Sequence, residues 1–347
     1  MDERITRWGT TALTLLLAGC PGGDDSSTDG DATESSSGST TAAPGTSGDD
    51  TGTASGATAG SEGESGLVET TAGSEGSSDE TTGGMSGEPG PDLREPGPFA
   101  VQVESGSASL PGCPMGYDRY VPMGQDSAPV VVLAHGFQGN RASMAGWAEH
   151  WASWGVRVIA PDLCHASIVD ADHPQNGIDL RALVDALGVG PVIYAGYSAG
   201  GLAAVLAAAQ DGSAVAVLGL DMVDSDGDGL AAAPAIAAPA FDIVGEPSMC
   251  NTTNNGLAVV GAAGGQALRV TDADHCDFQS PADFLCGLTC NGGNPNFDDD
   301  EIATAVRGLS TAVVVWQTGV EPTGAQWWTP GAPYYDELVG IGIVTVP

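Results

Sequence analysis

The chain is 347 residues long and carries 45 Asp and Glu against nine basic residues, all arginine, for a formal net charge of −36. So acidic a surface repels phosphate backbones and anionic headgroups, which argues against nucleic acid and anionic bilayers as partners. Large apolar residues are scarce before position 99, so a core is expected only over residues 99–347, roughly 250 residues and a plausible single domain.

Residues 1–19 read as a signal peptide. Arg4 and Arg7 form a modest basic region, in the company of Asp2 and Glu3, and residues 8–17 are apolar but too short to span a bilayer. The stretch ends Leu17-Ala18-Gly19-Cys20, which resembles the bacterial lipobox. That resemblance implies cleavage before Cys20, acylation of its thiol and attachment to a membrane; an ordinary secretory signal with an incidental cysteine is the alternative. Acyl chains contribute about 0.8 kcal/mol per buried CH₂, so several together make an effectively permanent anchor. Pro21 stands where many lipoproteins retained at the inner membrane have aspartate, which points to the outer membrane or cell surface. Residues 20–98 are mostly Gly, Ser, Thr, Ala, Asp and Glu. They cannot bury enough surface to offset ordering entropy and are expected to be a disordered tether, spanning roughly 50 Å root-mean-square as a coil.

Beyond the tether, strands are expected at 99–104 and 117–121. Residues 129–134, Pro-Val-Val-Val-Leu-Ala, are a continuous apolar run of the kind found in buried parallel strands. The loop His135-Gly136-Phe137-Gln138-Gly139 follows, then a helix over 144–154, a strand at 156–160, and a helix capped by Asn176 and ended by Gly188. Further strands are expected at 215–222, 241–244 and, last, 267–271, with a closing helix over 301–317. This alternation argues for an α/β fold with a mostly parallel sheet. The terminal segment with Trp327, Trp328, Tyr334 and Tyr335 has no assignment; Phe137, Trp327 and Trp328 could rim a site or pack in the core.

The most specific signal is residues 191–201. A short apolar strand runs into Gly196-Tyr197-Ser198-Ala199-Gly200, and a small-residue helix follows at once. Strand, sharp turn and helix are the context in which G-x-S-x-G exposes a nucleophilic serine, with the first helical amides pointing at whatever is bonded to its oxygen. The order of strand, His135-Gly136-Phe137 loop, Gly-Tyr-Ser-Ala-Gly turn, downstream acid and late Asp274-His275 resembles an α/β-hydrolase over roughly residues 99–320. It is similar to dienelactone-hydrolase-like, chlorophyllase-like and platelet-activating-factor acetylhydrolase-like esterases.

The resemblance implies an α/β-hydrolase fold with helices on both faces of the sheet, and hydrolysis of carboxylic esters through an acyl-enzyme, with no cofactor. Ser198 is the expected nucleophile. In that family the base follows the serine in sequence, and of five histidines only His275 does so. The acid is open. Asp221, after the strand at 215–222, occupies the place used by the acetylhydrolase-like and chlorophyllase-like members; Asp224 and Glu246 are the alternatives. The oxyanion hole is expected from the backbone N–H groups of Ala199 and Phe137, with His135 bracing the second loop.

Six cysteines remain besides Cys20: Cys113, Cys164, Cys250, Cys276, Cys286 and Cys290. An even number in an exported domain suggests disulfides of undetermined pairing, and one at Cys276 would pin the loop carrying His275. Zinc is the competing reading, but Cys286-x-x-x-Cys290 has no second pair of matching form, so no metal is assigned. Asp224-Ser-Asp226-Gly-Asp228-Gly229 resembles the start of a calcium loop, yet its twelfth position is Ala235, so a solvated acidic turn is expected. Fewer than twenty residues separate Asp224 from Ala240, leaving little room for a cap. The expected protein is therefore a monomeric, exported, lipid-anchored serine esterase with an open site for a small or polymeric ester. The alternative is a non-catalytic display module.

Overall fold

The computed structural model describes residues 88–347, apart from Asp283, Asn291, Gly293 and Asn294. The expected signal peptide, Cys20 and the tether as far as residue 87 lie outside the described residues.

The strands are β1 (Val101–Ser109), β2 (Pro114–Pro122), β3 (Val130–Ala134), β4 (Arg157–Pro161), β5 (Ala166–Ser167), β6 (Asp170–Ala171), β7 (Val192–Tyr197), β8 (Ala216–Leu220), β9 (Ala240–Val244), β10 (Gln266–Val270) and β11 (Val344–Thr345). The helices are α1 (Ala145–Ser153), α2 (His173–Leu187), α3 (Ala199–Ala209), α4 (Asp228–Ala232), α5 (Gly256–Ala262), α6 (Phe284–Cys290), α7 (Asp299–Gln317) and α8 (Pro333–Ile341). Nine strands form one sheet in the order β1-β2-β4-β3-β7-β8-β9-β10-β11, while β5 and β6 make a separate hairpin. From β4 through β10 every pairing is parallel; β1, β2 and β11 run antiparallel at the two edges.

The central strands are buried along their whole length because they are covered on both faces. Side-chain alternation divides them into two cores. Val131, Leu133, Ile193 and Ala195 pack with Trp147 and Trp151 of α1 and with the apolar stripe of α7. Val130, Val132, Val192 and Tyr194 pack with Leu180 and Leu183 of α2 and the alanines of α3. The α/β expectation holds at this level: a large, mostly parallel sheet with helices around it.

From β3 the chain goes outward to β4, then returns to place β7 on the other side of β3. The strand order reverses there, at the switch point whose carboxyl-end crevice is the usual ligand position in open parallel sheets. No inserted domain covers it from the β8–β9 connection, which holds only α4 and a short 3₁₀ turn packed on α3 and α5.

Several expectations are corrected. The packed chain begins before residue 99: Leu93 is fully buried, and Arg94 lies over the rings of Trp327 and Tyr334. Asp172, not Asn176, caps α2, its carboxylate accepting from Gln175 N; Asn176 is buried inside the helix and holds both backbone groups of His165. The strand β10 is not the last, since β11 pairs with it. Trp327 and Trp328 are buried in the core and do not rim the crevice.

Candidate active site

Ser198 stands between β7 and α3 with φ 52° and ψ −123°, a conformation a non-glycine residue adopts only when its surroundings impose it. Its N–H donates to Leu220 O at 3.1 Å, and its carbonyl accepts from Gly201, Leu202 and Val223. Glycine is required on both sides of the turn. A Cβ on Gly196 would lie 2.2 Å from Gly200 O, and one on Gly200 would lie 2.4 Å from His135 O. Those absent methyl groups let β7, α3 and the end of β3 meet closely enough to hold the turn.

Two adjacent strands end in the same way. Asp221 follows β8 with φ 48°, its N–H donating to Ile243 O at 2.7 Å; Gln138, in the loop after β3, has φ 60° and donates to Ala166 O at 2.6 Å. At each of these three strand ends, left-handed backbone turns the chain at the crevice, at a cost of order 1–3 kcal/mol each.

His275 opens a 3₁₀ turn after β10, fixed by a reciprocal cap: Asp274 accepts from Cys276 N, and Asp277 accepts from Asp274 N. Its Nδ1 lies 2.6 Å from Asp221 Oδ2, and its Nε2 lies 3.0 Å from Ser198 Oγ. The Asp221 carboxylate can only accept, so it selects the tautomer with the proton on Nδ1 and leaves the Nε2 lone pair facing the serine hydroxyl. Asp221 Oδ1 also accepts from Gly245 N at 3.0 Å, and its Oδ2 accepts from Asn251 Nδ2 at 3.2 Å. Asn251 bonds in addition to Glu246 O, which ties the loop after β9 to the carboxylate. Tyr197 lies tilted against the imidazole, ring centroids 4.9 Å apart. Ser198, Asp221 and His275 are all buried.

The other two acid candidates are turned elsewhere. Asp224 accepts from two first-turn amides of α4, Gly229 N at 2.7 Å and Leu230 N at 3.1 Å, which also commits the first carboxylate of the calcium-like stretch. Glu246 is exposed, and its carboxylate accepts from Asp272 N. Proximity to a strand end was not enough for either: only the left-handed turn at Asp221 aims a carboxylate at His275.

Ala199 N is the first amide of an eleven-residue helix and has no intrahelical acceptor, so it carries the positive end of the helix dipole. The loop bearing Phe137 is pressed against the serine, since a Cβ on Gly136 would be 3.2 Å from Ser198 Cβ. His135 is buried and braces that loop, donating from Nδ1 to Gly136 O and accepting at Nε2 from Leu163 N. Burial holds its pKa below the usual value, in keeping with a neutral ring that both donates and accepts.

No protein-family model matches this chain, and no curated protein matches it.

The cysteines pair as Cys113–Cys164, Cys250–Cys290 and Cys276–Cys286. Two of these pairs converge on α6. One arrives from Cys276, beside His275, and the other from Cys250, beside the Asn251 that holds Asp221. Sequence reasoning missed Asn251, which carries no local signal, and Asp242, which does: it is a charged residue inside the apolar strand β9, and it is fully buried.

Proposed function

We propose that this protein is a serine hydrolase of the α/β-hydrolase fold that cleaves carboxylic esters. The observation that carries the reading is the unbroken series Ser198 Oγ, His275 Nε2, His275 Nδ1 and Asp221 Oδ2, mounted on a strained strand–helix turn at the sheet's switch point. A serine hydroxyl is a poor nucleophile until a neighbouring base takes its proton. Here His275 Nε2 accepts that proton as Oγ adds to the ester carbonyl, and Asp221 stabilises the imidazolium without being protonated. The carbonyl oxygen, now an oxyanion, takes hydrogen bonds from Ala199 N–H and Phe137 N–H. Preorganised donors of this kind are worth about 3 kcal/mol each in the transition state. The imidazolium returns its proton to the leaving alkoxide. Water then attacks the acyl-enzyme by the same route, releasing the acid and restoring Ser198.

The substrate side is open and partly apolar. Phe137 is 40% exposed, and the β5–β6 hairpin beside its loop presents Ile168 and Val169. That surface, with no inserted domain from the β8–β9 connection, suits an ester on an extended or bulky scaffold. The display-module reading is weaker, since it calls for a misaligned trio. Export and a lipid anchor at Cys20 belong to the same proposal, supported by the lipobox-like sequence and the three cysteine pairs. No helix among the described residues is long and apolar enough to cross a membrane. Incorporation of a labelled fatty acid, abolished by Cys20→Ser, tests the anchor.

The deciding experiment is hydrolysis of p-nitrophenyl esters of graded acyl length by residues 88–347, beside Ser198→Ala and a fluorophosphonate label. Activity and labelling are expected in the parent, and in the variant a turnover lower by a factor on the order of 10⁴ to 10⁶. A folded parent that neither reacts with the probe nor turns over any ester would overturn the reading.

A further inference from the structure

A cavity lies away from Ser198, between α1, α7 and the chain entering the domain at residues 96–101. Its volume is about 460 Å³, the size of a small-molecule site. Phe99, Val101 and Trp147 give it apolar walls, and Arg307 of α7 supplies a cation.

Arg307 is singular. Seven arginines fall in the described residues. Arg94, Arg119, Arg141 and Arg181 hold carboxylates, and Arg157 and Arg269 donate to backbone carbonyls. Among the described residues Arg307 has neither kind of acceptor, in a chain whose acids outnumber its bases five to one. No second cation competes with it. His150 donates from Nε2 to Leu93 O at 3.0 Å, and burial, with Arg307 nearby, holds its pKa below the usual value, so the imidazole is neutral. Glu149 sits exposed at the rim, where it disfavours a second negative charge on a ligand.

The margins of the cavity are built tightly while its centre is left open. A Cβ on Gly97 would lie 2.2 Å from Ser153 O, and one on Gly146 would lie 2.0 Å from Ser280 Oγ. Gly97 N donates to Ser153 Oγ at 2.8 Å, and Gly146 N donates to Ser280 O at 2.7 Å. Trp147 Nε1 donates to Phe278 O at 2.9 Å, so the wall is continuous with the turn that begins at His275.

We propose that this cavity binds a small organic monocarboxylate, with its carboxylate on the Arg307 guanidinium and its apolar body against Phe99, Val101 and Trp147. The guanidinium fork matches a carboxylate in a two-bond geometry that no other group in the cavity offers. The site does not depend on Ser198 being a nucleophile.

Calorimetric titration of the full chain with hexanoate, and with hexanamide as its uncharged counterpart, tests the assignment. Hexanoate is expected to bind at least about tenfold more tightly than hexanamide, the difference a charge-assisted pair supplies. Arg307→Gln is expected to bring hexanoate down to the hexanamide level, and Ser198→Ala to leave hexanoate binding unchanged. Equal affinities for the two ligands, full affinity in a folded Arg307→Gln protein, or loss of binding in Ser198→Ala would each overturn it. The comparison of acid with amide needs no variant, so the test survives if Arg307→Gln fails to fold.

Discussion

Asp221, just after β8, and Asp242, inside the neighbouring strand β9, are both fully buried, and only Asp221 is provided with the donors an anion requires. Asp221 has Gly245 N, Asn251 Nδ2 and His275 Nδ1 around it. Asp242 has the backbone N–H groups of Met222 and Ile243, the former at 3.4 Å, and its Oδ2 has no partner. Burial, and then the charge of Asp221, push the Asp242 carboxyl well above the usual carboxylate range. The neutral acid spares the site a second buried charge next to the first.

The two carboxyls should therefore respond oppositely to amidation. Asp221→Asn presents the wrong hydrogen-bonding partner to the imidazole and should lower kcat by a factor on the order of 10⁴. Asp242→Asn resembles the protonated acid and should keep kcat within a few-fold. An acid whose folded pKa is raised loses stability as pH climbs from its unfolded value through its folded one. Wild type should thus lose thermal stability toward alkaline pH relative to Asp242→Asn, as unfolding midpoints across pH would show.

Asp277 makes a separate pH prediction. Burial, with lesser contributions from the negative charges of Asp274, Asp299 and Asp221, raises its carboxyl to about 7, against the bond from Asp274 N that favours ionisation. The folded state holds this proton more tightly than the unfolded chain, whose aspartates titrate near about 4. Its contribution is full below about 4 and is lost as pH rises through about 7. Asp277→Asn can still accept from Asp274 N, so it should keep the 3₁₀ turn and flatten the fall in unfolding midpoint over that window. An identical pH profile for the two proteins would contradict this.

The disulfides should rank differently for stability and for activity. In the chain-entropy account a bridge is worth more the longer the loop it closes, about 3 to 4 kcal/mol for loops of this size. Cys113–Cys164 closes 51 residues and Cys276–Cys286 only 10. Replacing the first pair with serine should lower the unfolding midpoint more. Replacing the second should lower kcat more, because it frees the segment beside His275. Midpoints and kcat measured on the two double variants check both orders.

Leu93 tests where the domain begins. It is fully buried among core residues, although it lies in a segment rich in proline and charge. Leu93→Ala should cost about 2–5 kcal/mol in chemical denaturation, as for other buried leucines. A chain starting at residue 99 should be less stable than one starting at residue 88.

The sequence by itself determined the central strands, the serine turn and most of the trio. Apolar runs such as residues 130–134 have nowhere to go but a doubly covered sheet, and Gly-Tyr-Ser-Ala-Gly between strand and helix is a local pattern with a local steric cause. His275 was reached by its position after Ser198. Asp221 was favoured over Asp224 and Glu246 through the resemblance alone; the residues themselves leave the three open, because all three follow strands closely and only the backbone turn at Asp221 aims its carboxylate at the imidazole. Asn251, the cysteine pairings, the burial of Trp327 and Trp328 and the early start at Leu93 were decided by tertiary structure alone. Each depends on contacts between segments far apart in sequence, and no propensity of a single segment records what the rest of the chain brings against it.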